Sequence, residues 1–302
     1  MAAALERSER AARDARRILR RQIRKALETL ASRGSDDEAI HDARKAIKRA
    51  RATLRLVRGV ISKREYRRGN RLLRDAAQPL SAARDAKILV EACDGLLHRA
   101  PRARAIAGTR RLRETLRRAR SATRRALLRT GQLERSCRLL SQARRAAARW
   151  SLPRDTFATL AAGAQRVYAQ GREAMQRVRL EPSVGCLHEW RKQAKYLYLQ
   201  LELLAPLYGP AVSNMAQRFE ALSDELGKDH DLALLRLSVA AHSRDFRTES
   251  AASELATLIE RTRTALQGRA LLRGTRLYQP EPAGFVRRLS RGRAPRRAGR
   301  AL

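Results

Sequence analysis

Along most of the chain, apolar residues recur three and four positions apart with charged residues between them, the period of an amphipathic α-helix. One such series runs through Ala43, Ile47, Ala50, Leu54 and Val57, another through Trp190, Ala194, Leu197, Leu201 and Leu204. Runs of Val, Ile or Thr alternating with polar residues, the mark of strands, are missing. The first helix is predicted over about 3–31, stopped by the polar cluster 32–37 with Gly34 as its cap. Ser35 and Glu38 have the spacing of a capping box and open a second helix to about Gly59. A third spans about 63–78 and breaks at Pro79, and Ser81 caps a fourth that ends near Arg99 and Pro101. A long basic segment over 102–129 and a shorter one over 133–150 are separated at Gly131. After a junction at 151–153, Asp155 starts a helix to about Leu180. Pro182 and Ser183 introduce the next, from Val184 to about Ala205, which Pro206, Gly209 and Pro210 end. Periodicity resumes over about 211–242 and 248–272. Beyond Pro280 and Pro282, residues 285–302 carry seven arginines and read as a flexible tail, or at best a short helix with a basic end.

Composition strengthens the helical reading. Aromatics are only 4% of the chain, so its cores are aliphatic, and Ala, Leu and Arg, all strong helix formers, fill most positions. At 302 residues there is length for two domains of ordinary size. Charge changes the picture more. The 67 Lys and Arg face 30 Asp and Glu, a formal +37, and only eight of the cations are lysine. That excess exceeds what solubility requires and suits a polyanionic partner: nucleic acid, an anionic membrane surface or a polyphosphate chain. Arginine adds a planar fork of donors matched to phosphate oxygens.

Other classes lose ground. Cys93, Cys137 and Cys186 are far apart and form no CxxC pair, so neither a disulfide framework nor a thiolate metal site is expected, and the setting is a reducing one. The N-terminus lacks a secretory apolar region, and the greasiest stretch, 196–208, contains Glu202 and Pro206 and is too short to span a bilayer. A cytoplasmic protein without integral membrane association is the expectation. There is no P-loop, no HExxH and no carboxylate cluster suited to catalytic magnesium, so no cofactor, no metal and no enzymatic activity are expected. His41 with Asp42 and His188 with Glu189 diverge by about 100° on a helix, which makes them poor proton relays.

The informative feature is a repeat. Residues 41–48 read H-D-A-R-K-A-I-K and residues 188–195 read H-E-W-R-K-Q-A-K, both H-x-x-R-K-x-x-K with an acidic second place. Further on, L-S-A-A-R-D at 80–85 corresponds to L-G-K-D-H-D at 226–231, so His41 precedes Asp85 at nearly the distance that His188 precedes Asp231. Two matched elements in register argue for two related helical halves, residues 1–150 and 151–279, followed by the basic tail 280–302.

On a helical wheel, His41, Arg44, Lys45, Lys48, Arg51 and Arg55 fall on the polar side of the first copy. His188, Arg191, Lys192, Lys195 and Tyr198 do so in the second. From His41 to Lys48 is about 10 Å of helix, enough to meet several successive phosphates. If the halves face one another, both rows line one groove and focus its positive potential. A basic face that is merely solvated is the simpler reading of either copy alone. Each histidine leads a cationic row, so its protonated form is disfavoured until a polyanion arrives, which gives tighter binding at lower pH. Asp85 and Asp231 are expected to accept hydrogen bonds from these cations and fix their direction, with Arg84, Lys228 and His230 beside them in support. His98 and His242 read as surface or capping residues.

These paired motifs resemble those of the CHAD family, and the likeness runs from the first helix to about Leu272. It implies an all-α fold of two four-helix bundles, related by internal pseudo-symmetry around a basic central groove or cavity. It also implies non-catalytic binding of inorganic polyphosphate, often on polyphosphate granules. Matching positions are His41, Arg44, Lys45 and Lys48, then His188, Arg191, Lys192 and Lys195. The halves depart from each other at Arg84, where the second has His230, and at Arg51, where the second has Tyr198. Some family members carry a triphosphate-hydrolysing domain, whose alternating strands have no counterpart here. Nonspecific nucleic-acid binding is the alternative; it fits the charge, but few aromatics are present for stacking and no base-reading motif is recognised.

Overall fold

The computed structural model describes residues 11–33, 36–152, 157–246 and 248–291. They form α1 (Ala11–Arg33), α2 (Asp37–Leu56), α3 (Lys63–Ala77), α4 (Pro79–Arg99), α5 (Pro101–Ala105), α6 (Thr109–Arg129) and α7 (Gln132–Ala148). There follow α8 (Phe157–Leu180), α9 (Val184–Tyr208), α10 (Pro210–Ala241), α11 (Glu249–Leu277) and α12 (Pro282–Arg291), with a 3₁₀ turn at Ser243–Asp245. No strand occurs among the described residues. The proposed cap at Gly34, the capping-box residue Ser35, the helix start at Asp155 and the last part of the tail lie outside them.

Several boundaries differ from the periodicity, each for a local reason. A full capping box opens α3: Ser62 Oγ accepts from the Glu65 N–H at 3.1 Å while the Glu65 carboxylate accepts from the Ser62 N–H at 3.0 Å. Pro79 starts α4 rather than preceding a cap, because a first-turn position needs no N–H. Ser81 therefore sits inside α4, its hydroxyl on the Ala77 carbonyl. The long basic segment divides at Gly108, whose φ of 95° is open to glycine; a Cβ there would lie 2.7 Å from the Phe246 Cα. Helix α9 runs past Pro206 to Tyr208, and α11 extends to Leu277. Residues 282–291 take the short-helix form: α12 buries Phe285 and Leu289, and Phe285 stacks on Tyr168 at 4.2 Å.

Packing brings α2 against α9 and α4 against α10. A large aliphatic core draws on both halves of the sequence, joining Ile40, Ile47, Leu54 and Leu56 of α2 to Trp190, Leu197, Leu201 and Leu204 of α9. A smaller core joins α4 and α6 to the C-terminal half of α10 and α11 through Val90, Cys93, Leu112, Leu116, Leu235 and Ile259. Cys93 is buried in it and its thiol is pushed up to about 11 by loss of hydration, as for a packing residue. Close approach of α11 to α9 depends on Gly274, where a Cβ would come within 2.5 Å of the fully buried Trp190 ring.

Candidate functional site

The apolar stripes of α2 and α9 are spent on the shared core, so their polar stripes emerge beside one another. Lys48 is where the two motif copies meet. Loss of hydration is the main influence on its ammonium, followed by the charges of Arg191, Arg44, Lys195 and Arg84, and together they push it down to about 7. Its side chain is nonetheless exposed to water.

The two arginines are held differently. Arg44 Nη1 donates to the Ala77 carbonyl at 2.9 Å and to Ser81 Oγ at 2.7 Å. That carbonyl is available because the Ser81 N–H turns to Gln78 at the start of α4. Gly227 occupies the position in the second copy that Ser81 holds in the first. A Cβ on Gly227 would lie 3.7 Å from Arg191 Nε, so glycine leaves room for the guanidinium but gives it no anchor. Among the described residues the Arg191 side chain makes no hydrogen bond. Its guanidinium is free to fork onto an incoming oxyanion, whereas Arg44 has one nitrogen committed.

Around this pair stand His188 and His230, ring centroids 4.9 Å apart. Loss of hydration and the charges of Arg191, His188, Lys48 and Arg263 push His230 down to about 4. His188 is lowered by the same loss, then by Arg191 and Lys192, with Glu189 opposing. His41 is lowered by loss of hydration, then by Arg84 and Lys87. Asp85 and Asp231 are raised, because loss of hydration outweighs the attraction of Arg44 and Arg84 at Asp85 and of Arg191 and Arg84 at Asp231. Neither carboxylate makes a hydrogen bond among the described residues, and Asp231 Oδ1 is buried without a partner. The hydrogen bonds expected from them to the cations are not made; what reaches Arg44 and Arg191 is the charge of Asp85 and Asp231 respectively.

Several anticipated residues take other partners, although Lys195 and Lys192 still add to the charge at Lys48 and His188. Lys192 pairs with Glu189, and Lys195 lies 3.8 Å from Asp224 with its ammonium 4.7 Å above the Tyr198 ring. Tyr198 is only 7% exposed and its phenol turns to Glu220 and Glu202. Lys45 and Lys228 are exposed, and Lys45 reaches the group only as a minor influence on His41. Arg51 and Arg55 belong to a separate group around Tyr66 and Tyr196.

Sequence reasoning missed three participants. Lys87 sits beside His41 and shares Glu91 with Arg84. Asp229, 2% exposed, accepts from Arg263 Nε at 3.1 Å and from Gln267 Nε2 at 2.8 Å, tying α10 to α11 beneath His230. Glu260 holds the other side of Arg263. The motif L-G-K-D-H-D contained Asp229, but its partner lies on a helix with no repeat signal.

Open hollows against α5, α6 and α11, lined by residues such as Arg102, Thr257 and Arg111, reach Glu260 but none of the motif cations or histidines. No three His, Cys, Asp or Glu side chains gather as a metal site among the described residues, and no helix there is long and apolar enough to cross a membrane.

The class defined is an all-helical protein with a basic group assembled where two motif-bearing helices meet. The CHAD domain model matches residues 4–240, and the chain belongs to that family. Its fold is similar to that of PptA from Streptomyces chartreusis, at TM-score 0.63 and 17% identity, covering 89% of this chain and 99% of that one. The CHAD domain from the plant Ricinus communis is also similar, at TM-score 0.55 and 17% identity, covering 96% and 93%. No curated protein matches the sequence significantly.

Proposed function

We propose that this protein binds inorganic polyphosphate without cleaving it, in the cytoplasm and on polyphosphate granules, through the convergent cations of its two motif copies. The two halves act as pseudo-symmetric walls of one basic groove. Membership of the CHAD family supports the reading, and the observation that carries it is the meeting of Arg44, Lys48, Arg84 and Arg191 around Asp85 and Asp231, with Glu91 paired to Arg84 at the edge. Mutual repulsion makes such a group costly when empty, and a chain of phosphates relieves it. Arg191 supplies the bidentate fork, Arg44 a positioned donor, and Lys48 a point charge on the floor.

Competition titration of polyphosphate against single-stranded and duplex DNA, at physiological and raised salt, tests this in wild type and in the Arg44→Ala, Arg191→Ala double variant. Polyphosphate is expected to win in wild type and to lose its advantage in the variant. Equal binding of all three polymers, indifferent to the substitutions, overturns the proposal in favour of diffuse charge attraction to nucleic acid.

A further inference from the structure

The C-terminal end of α2 carries a second group of arginines that the motif residues do not include. Arg55 Nη1 donates to the Tyr66 hydroxyl at 2.9 Å, and its guanidinium lies 4.2 Å over the Tyr196 ring. Arg51 donates to Asn70 Oδ1 at 3.4 Å and lies 5.7 Å from the same ring. Arg58 covers Tyr66 at 5.0 Å. From α8, Arg166 reaches over the turn after α2, where a Cβ on Gly59 would be 3.5 Å from its Nη2.

Three features distinguish this group from a solvated basic face. It holds four guanidiniums from two helices and a turn, and the charged neighbours felt by Arg51 and Arg166 include no carboxylate. Two donors, Arg51 Nε and Arg166 Nη2, are buried without an acceptor. Aromatic rings fix the arginines in place, since a guanidinium stacked on tyrosine retains its edge donors. The carbonyls at the end of α2 offset part of the repulsion, which helps the group persist when empty. Tyr196 is 5% exposed and already covered by arginine, so no nucleobase can stack there. What remains available is a set of guanidinium edges, the chemistry of a phosphate site.

We propose that this arginine–tyrosine group is a second phosphate station on the path of the polymer, reached along α2 after Lys48, so that long chains engage both groups while short ones fill only the first. The inference rests on the polyphosphate reading above. From Lys48 to Arg55 is seven residues of one helix, about 10 Å. A chain held at the first group brings its later phosphates to the second at high effective concentration.

The test compares tripolyphosphate with long-chain polyphosphate, titrated over a range of salt, on wild type and on Arg58→Ala and Arg58→Ala, Arg166→Ala variants. Wild type is expected to prefer the long chain. In the double variant that preference should shrink by about tenfold, and the slope of log affinity against log salt for the long chain should fall by roughly 1.4, about 0.7 per lost contact. Arg58 is exposed, so its single substitution leaves the fold intact and should give about half the change in slope. A long-to-short ratio and a salt slope equal to wild type in both variants overturn the second station while leaving the first group standing. Failure of wild type to bind either length removes the polyphosphate reading itself, and the station with it.

Discussion

Lys48 offers the sharpest test of how the site works, because one group governs two opposite pH trends. In the free protein its ammonium is pushed down to about 7 by loss of hydration and by Arg191, Arg44, Lys195 and Arg84. A bound polyanion cancels those charges and restores the proton, so binding takes up protons wherever free Lys48 has lost one. Affinity is therefore fully present below about pH 7 and declines as pH rises through that value. Without screening, log affinity would fall by about one per pH unit above 7. Water reaches the side chain and weakens the effect, so a fall of roughly three- to tenfold between about pH 7 and about pH 8.5 is expected. Calorimetric titration at one pH in buffers of different ionisation enthalpy counts the protons directly. Lys48→Arg keeps the charge at every pH and should flatten this alkaline decline. The stability of the free protein should move the other way. An unfolded lysine keeps its proton to about pH 10.4, so between about pH 7 and pH 9 the unfolded state binds more protons and stability rises with pH. Identical alkaline slopes in wild type and Lys48→Arg, or no proton uptake on binding, refute the enclosure of Lys48 by its cationic neighbours.

Histidine adds a second window: His41, His188 and His230 are lowered in the free protein, so affinity should rise further as pH falls below about 6.5. The His41→Ala, His188→Ala double variant should lose most of that rise, measured between about pH 5 and about pH 6.5, where Lys48 keeps its proton. Asp229→Ala leaves the buried Arg263 with Glu260 alone and Gln267 without its acceptor, and should destabilise the protein by about 1–3 kcal/mol in urea unfolding. Gly274→Val drives a side chain into Trp190 and Met175 and should cost about 1–3 kcal/mol, with a change in the tryptophan emission. An unchanged midpoint in either variant contradicts the packing described here.

Helix content, most boundaries and the polar identity of α2 and α9 were legible in the sequence, because helical period and capping are local and need only a few neighbouring residues. Ala43, Ile47 and Leu54 on one side, with His41, Arg44 and Lys48 on the other, already required α2 to bury one stripe and present the other. The motif repeat at similar spacing likewise pointed to Arg44 and Arg191 as a pair. What tertiary packing decided was which charges survive as neighbours. Arg51, Arg55 and Lys48 share a helix face in projection, yet Tyr66 and Tyr196 draw the first two into another group. Lys192 matches Lys45 in the motif but pairs with its own Glu189. Ser81 and Gly227 occupy matching positions, and only packing revealed that one anchors Arg44 while the other makes room for Arg191. Period and spacing determine the face of a helix. The partner of a charge is decided by Coulomb energy and hydration in three dimensions, which depend on residues far away in the chain.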